Sequence, residues 1–277
     1  MSFVARIHSF HRQPGLAIKG DNFDTAPVHR FYVEPEQSGN EIIELNEREA
    51  HHALTVLRVK EGERVTALDG AGAELSCNVE KVAKRSVSLR VYQRNKVPPL
   101  PHAVTLVQAV PKGKAMEIIV QKAAELGAKM LVPIISERTV AHVDEERAEN
   151  KVEKWNWIAI DAIKQCGSAW LPKIADPLKA QQYLSAGERS EMNLIASLQP
   201  GAKHPRTYLS EFAQERGRKP KSVTVWVGPE GDFTPAEVNS VIGAGARPIT
   251  LGPLVLRSET AAIYSLSVIN YELQAPI

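Results

Sequence analysis

Between residues 30 and 92 the chain carries short apolar runs, 30–33, 41–45, 64–68, 74–79 and 86–92, broken by turn pairs such as Asp69-Gly70 and Ala71-Gly72. Runs of that length between Gly-rich turns predict β-strands. One segment, 46–58, changes to helical spacing, with Asn46 placed as N-cap and Glu49 three residues on in capping-box position. The pattern is that of a small β-barrel with one helix. Asn95-Lys96-Val97-Pro98-Pro99-Leu100-Pro101 then excludes both helix and central strand and reads as a stiff extended linker. Past it the rhythm becomes strand 103–110, helix 114–126 stopped by Gly127, strand 129–135 and a long helix 144–165. Strands 192–197 and 222–227, helix 235–242, strand 248–251 and helix 259–273 follow. That alternation predicts an α/β domain built on a mostly parallel sheet flanked by helices. Three parts are expected: an irregular extension over 1–24, a barrel over 25–97 and the α/β domain over 98–277.

Composition narrows the class. A chain of 277 residues suits two domains with ample core. No apolar stretch approaches the roughly 20 residues needed to cross a bilayer, and the N-terminus lacks a basic-then-apolar leader pattern. A cytoplasmic protein without membrane contact is expected. Cys77 and Cys166 are far apart and form no CxxC, which argues against a zinc site and for buried, inert thiols in a reducing compartment. His51 and His52 are adjacent, so on a helix they point about 100° apart and make no metal site. The net charge of +2 excludes a generic polyanion binder, but basic residues gather in 81–85, 90–96, 112–114 and 216–221. Each cluster alone fits a solvated turn, whereas several together suit a surface that tracks phosphates.

The candidate chemistry lies near the end of the chain. The apolar run 222–227 breaks into Gly228-Pro229-Glu230-Gly231, and a second run breaks into Leu251-Gly252-Pro253-Leu254-Val255-Leu256-Arg257-Ser258-Glu259. Glycines let a ligand approach the main chain, prolines stiffen the turns, and loops at the carboxyl ends of strands are where open α/β sheets bind ligands. Gly and Pro could equally make tight connections, but two such loops that both carry charge favour a ligand site. Familiar alternatives fail. Gly243-Ala244-Gly245-Ala246 sits between a helix and a strand, the wrong order for a dinucleotide fingerprint. Neither a GxxxxGK[ST] loop nor a GxSxG elbow is present.

The segment Val227-Gly228-Pro229-Glu230-Gly231-Asp232-Phe233-Thr234-Pro235-Ala236-Glu237, followed by Leu251 through Ala261, resembles the paired signatures of the RsmE family. These are SPOUT-superfamily methyltransferases that act on small-subunit ribosomal RNA. Lys114 through Gly127, Gln165-Cys166 with Leu171-Pro172, and His29-Arg30-Phe31-Tyr32-Val33 extend the likeness from about Arg30 to the C-terminus. The resemblance implies a PUA-like RNA-binding barrel and a C-terminal trefoil-knot methyltransferase domain. It further implies a homodimer that binds S-adenosylmethionine and methylates uracil N3 of 16S ribosomal RNA, on free RNA or the small subunit. The implied cofactor residues are Leu198, Gly228, Glu230, Gly231, Leu251, Gly252, Leu256 and Ser258, although simple core packing would also explain Leu251 or Leu256. The implied RNA contacts are Arg30, Arg58, Lys112 and Lys114. Two departures stand out: Asp232 replaces a second Gly, and Ser168-Ala169-Trp170 fills a stretch where relatives carry an Arg, for which Lys164, Lys173 or Trp170 could substitute.

Uracil N3 holds a proton at neutral pH and is a poor nucleophile until it leaves or the developing anion is stabilised. Arg257 suits stabilisation of a uracil carbonyl oxygen, and Glu259 or Glu230 suits proton acceptance or orientation of Arg257. Glu259 equally suits a purely structural place at the positive end of the following helix. Two other functions fit the same sequence: methylation of a ribose 2′-hydroxyl, which needs no ring deprotonation, and RNA binding without catalysis.

Overall fold

The computed structural model describes residues 29–139, 145–187, 190–199 and 201–275; the extension expected over 1–24 lies outside them. Strands β1 (His29–Tyr32), β2 (Ile42–Glu44), β3 (Arg64–Leu68), β4 (Ala73–Val82) and β5 (Val87–Lys96) form a five-stranded sheet in the order β1-β3-β4-β5-β2. The β1–β3 pair is parallel and the rest antiparallel. Alternation fixes the inner face: Val87, Leu89 and Val91 of β5 are buried with Leu75, Cys77 and Val79 of β4, while the residues between them face outward. Helix α1 (Glu47–His51) continues as a π-helical turn through His52–Leu57 and places Ala50 and Ala53 in the same core as Phe31 and Ile43. Arg58 ends that turn in the left-handed region, at φ 55°. The single 46–58 helix expected from spacing is therefore two helical types in series, and β4 and β5 run further than their apolar cores suggest.

Helix α1 has half of the expected capping box. The Asn46 side chain accepts the Glu49 N–H, but the Glu49 carboxylate turns inward instead of returning to Asn46. It is buried, accepts the Tyr32 N–H at 3.0 Å, and meets Lys164 Nζ at 2.6 Å. Lys164 also pairs with Asp161 at 2.9 Å. Around this ion pair, Arg30 Nη1 donates to the carbonyls of Lys164 and Gln165, and Arg48 pairs with Asp161 beneath the face of Trp157. A second seam joins the turn before β4 to residues 169–171. There the Gly72 N–H donates to Ala169 O, the Leu171 N–H to Gly70 O, and Trp170 Nε1 to Val97 O. Gly72 is required at this point, because a Cβ on it would lie 2.6 Å from the Trp170 ring.

Beyond the linker come β6 (Ala103–Ala109), α2 (Ala115–Glu125), β7 (Met130–Ile134), α3 (Glu145–Cys166), β8 (Lys173–Ile174) and α4 (Ala180–Ser185). They are followed by β9 (Met192–Ala196), α5 (Pro205–Arg216), β10 (Ser222–Val227), α6 (Pro235–Gly243), β11 (Arg247–Ile249) and α7 (Ser258–Gln274). The sheet order is β11-β9-β10-β6-β7-β8, and every pair is parallel. Its two faces feed two cores. One holds Leu106 and Val225 with α2, α3, α5 and α7; the other holds Val107 and Trp226 with Phe233, α4 and α6. Burial on both faces explains why β6 and β10 read as almost unbroken apolar runs. Helices α4 and α5 and strand β8 are additions to the sequence reading. The chain leaves β11 at the sheet edge, yet α7 packs against α2, β6 and β10 in the middle. Cys77 is fully buried, which pushes its thiol up to about 11, whereas Cys166 is exposed rather than buried. Among the described residues no helix is long and apolar enough to cross a membrane.

Removal of one partner from a buried ion pair leaves the other charge uncompensated, at a cost of about 3–5 kcal/mol. Because Lys164 keeps Asp161, Glu49→Ala should lose about 3 kcal/mol, the low end of that range, in urea unfolding. Lys164→Met combined with Glu49→Met should recover most of it. An unaltered unfolding midpoint in Glu49→Ala would show that the pair does not hold the two domains together.

Candidate cofactor and active site

Because β11, β9 and β10 are adjacent and parallel, their carboxyl ends emerge side by side. The segments that follow them, 197–199, 228–232 and 250–256, enclose a cavity of about 410 Å³. That volume lies in the usual range for a small-molecule site. Leu198, Gly228, Glu230, Leu251, Gly252, Leu256 and Ser258 all line it. Gly231, Arg257 and Glu259 do not. Arg257 is exposed at the N-cap of α7 with its side chain making no cap bond, and Glu259 is half-buried in the first turn. Gly231 offers its carbonyl to Arg138 Nη1 at 2.7 Å.

Each loop is held by its own sequence. After β10, Phe233 is buried against Trp226, with ring centroids 6.3 Å apart in edge-on contact, while Pro229 is buried at the start of the turn. The Asp232 N–H closes the turn onto Pro229 O. Asp232 adopts φ 58°, a conformation that Asp tolerates better than most residues, and its carboxylate accepts the Phe233 N–H. That is how Asp232 keeps the turn without a glycine. Gly228 cannot be replaced so easily: a Cβ there would fall 2.7 Å from Asp232 Oδ1 and 3.2 Å from Asp232 Cα. In the second loop Gly252 sits at φ 111°, and nothing lies within 4 Å of where its Cβ would be. The Thr250 hydroxyl accepts the Gly252 N–H at 3.2 Å. Main chain is thus laid bare toward an open space, with Leu198, Leu251 and Leu256 as apolar walls.

The charged candidates separate into different jobs. One oxygen of Glu230 accepts the Lys112 N–H at 2.9 Å, tying the loop after β6 to the loop after β10. Lys112 and Lys114 are exposed on that same sheet edge, and Arg58 is exposed on the barrel domain. Arg30 is engaged at the domain junction by the carbonyls at the end of α3, and Lys164 is spent in the buried ion pair. Trp170 is likewise engaged, stacked on Gly72. Two residues escaped the sequence reading. Arg138 follows β7 and reaches the 228–232 loop from the side. Gln108 is buried in β6 beneath the site; a lone carboxamide inside a doubly covered strand was the available signal. Among the described residues no cluster of His, Cys, Asp or Glu could hold a metal.

An all-parallel sheet thus carries two tethered glycine-proline loops over a cavity of small-molecule size, beside a separate small β domain. The family model for an RNA methyltransferase domain matches residues 98–270, and that for an RNA methyltransferase PUA domain matches 45–92. Ribosomal RNA small subunit methyltransferase E of Bacillus subtilis is 33% identical over 227 residues, covering 81% of this chain and 88% of that protein. The Synechocystis protein of the same name is 31% identical over 90% of this chain and 79% of its own. The chain belongs to the ribosomal RNA small subunit methyltransferase E family, RsmE. Among solved structures, the Legionella pneumophila methyltransferase Lpg2936, in complex with the bound cofactor SAM, superposes with a TM-score of 0.80 at 33% identity. It covers 88% of this chain and 98% of its own. The Neisseria gonorrhoeae family member bound to S-adenosyl methionine gives 0.77 at 26% identity, over 88% of this chain and 98% of its own.

Two substitutions test the cradle. Gly252→Val forces a β-branched residue into φ 111° and fills the open space, so S-adenosylmethionine affinity should fall at least about tenfold, or ~1.4 kcal/mol, in calorimetry. Unchanged affinity would remove this loop from the site. Gly228→Ala should instead lower the melting temperature as well, because the clash is with the turn itself.

Proposed function

We propose that the protein transfers a methyl group from S-adenosylmethionine to N3 of a uracil in 16S ribosomal RNA, acting as a cytoplasmic homodimer. The observation that carries this reading is the cavity at the carboxyl ends of β9, β10 and β11, walled by the two RsmE signature loops. Its size, its bare main chain at Gly252 and its leucine walls fit a purine nucleoside with a short polar tail. The cofactor supplies a methyl group made electrophilic by a sulfonium charge. The protein's own tasks are alignment and management of one proton.

Arg257, whose side chain makes no cap hydrogen bond, sits at the positive end of α7, a 17-residue helix. It meets a developing negative charge on a uracil carbonyl oxygen, reinforced by the helix dipole. Glu259, two residues further on in the first turn of the helix, accepts the N3 proton. Glu230 is the weaker candidate for that step, because one of its oxygens already holds the Lys112 N–H. Lys112 and Lys114 take the RNA backbone beside the cavity, and the barrel domain over residues 25–97 holds the RNA at a distance through Arg58 and its neighbours. The cavity rim exposes Leu198, Leu254 and Val255, at 64%, 73% and 79%. Apolar side chains so exposed on a ligand-binding rim suit burial by a second copy.

Labelled cofactor and isolated small subunits should yield one methylated position, and nucleoside analysis should return N3-methyluridine. Recovery of a 2′-O-methylated nucleoside instead would replace the uracil reading with ribose methylation. Arg257→Ala should lower kcat on the order of a hundredfold while leaving cofactor affinity within a few-fold; parallel losses in both would make Arg257 a binding residue. Val255→Asp should shift sedimentation to monomer and abolish turnover, and an active monomer would refute the shared site.

A further inference from the structure

Gln108 lies near the end of β6 with no solvent exposure. Its Nε2 donates to Ala109 O at 2.8 Å and to Ser258 Oγ at 2.9 Å, with Val227 O at 3.5 Å. Reversal of the amide would press its oxygen against two main-chain carbonyl oxygens, so the orientation is set. The other end, Oε1, has no partner among the described residues. Ser258 is itself buried, and its hydroxyl has one proton, which goes to Gly228 O at 2.7 Å. A directed chain of hydrogen bonds therefore runs from β6 through the first residue of α7 to the first residue of the loop after β10.

For packing alone this is a poor choice of residue. A buried carboxamide that leaves its oxygen bare is costlier than an apolar side chain of similar shape. What Gln108 contributes is donors, and Ser258, which they reach directly, and Gly228, reached through the Ser258 hydroxyl, are both lining residues of the cavity. We infer that Gln108 is a positioning residue for cofactor binding. Through Ser258 it holds the 228–232 loop and the start of α7 at one spacing, so that the two walls of the cavity close on the ligand together. The inference rests on the cofactor reading above. It also changes the part played by the Ser258 side chain: its only hydroxyl proton is committed to Gly228, so the side chain sets the wall rather than donating to the ligand.

The test is a double-mutant cycle on the full chain, read by calorimetric affinity for S-adenosylhomocysteine, with RNA affinity as a second readout. Gln108→Leu and Ser258→Ala should each weaken binding about tenfold, and the combined variant should be no weaker than the worse single one. RNA affinity should stay unchanged, and Ser258→Thr, which keeps a hydroxyl, should recover most of the cofactor affinity. Losses that multiply in the double variant, or a Gln108→Leu protein that binds as tightly as the parent, overturn the inference. Should Gln108→Leu fail to fold, Ser258→Ala against Ser258→Thr decides the matter, since equal affinities there break the relay. A parent protein that does not bind the probe would instead reject the cofactor reading itself.

Discussion

Every part of the candidate site depends on all-parallel pairing in the second sheet. Parallel strands expose all their carboxyl ends on one edge, so the loops after β6, β7, β9, β10 and β11 share a rim. Residues far apart in sequence then meet as neighbours: Lys112 with Glu230, Arg138 with Gly231, Gln108 with Ser258. An antiparallel strand in that sheet would send its loop to the opposite edge. The pairing in turn requires helices on both faces, because a parallel strand must return by a crossover. The two cores on either side of the sheet are the result, and they clamp β10 through Val225 on one face and Trp226 on the other.

That rigid edge would be of limited use if the barrel domain moved freely against it. Glu49 and Lys164 come from opposite domains, Glu49 buried and Lys164 largely so, with the Tyr32 N–H and Asp161 completing their partners. Buried ion pairs contribute little net stability but are intolerant of separation, because either charge alone in the interior is costly. Such a contact resists hinge opening more than it adds to the folding free energy. The Trp170–Gly72 stack and the hydrogen bond to Val97 O work at the other end of the same junction.

Much of this was legible in the sequence wherever the determining interaction was local. The bounds of β3 and β10 follow directly from the runs 64–68 and 222–227, and the paired Gly/Pro loops marked the cavity. What was not legible depended on distant partners. Glu49 fits a capping box by spacing, but its carboxylate is claimed by Lys164, 115 positions away. The hydrogen bonds of Arg30 to the carbonyls at the end of α3 likewise join residues 134 and 135 positions apart. Helix α5 buries Pro205, Tyr208 and Leu209 among many polar residues, too thin an apolar stripe to declare a helix. Gln108 was hidden for the opposite reason: it sits inside an apolar strand that periodicity had already explained.

Helix α7 carries Ser258 at its first turn and Ala262, Leu266, Ile269 and Leu273 in the larger core. The same helix both completes the cavity wall and seals the sheet face behind it. During synthesis, therefore, a nascent chain that has not yet delivered α7 has neither the ligand site nor a closed core. Formation of the ligand site and closure of the larger core are one event, and it waits for α7.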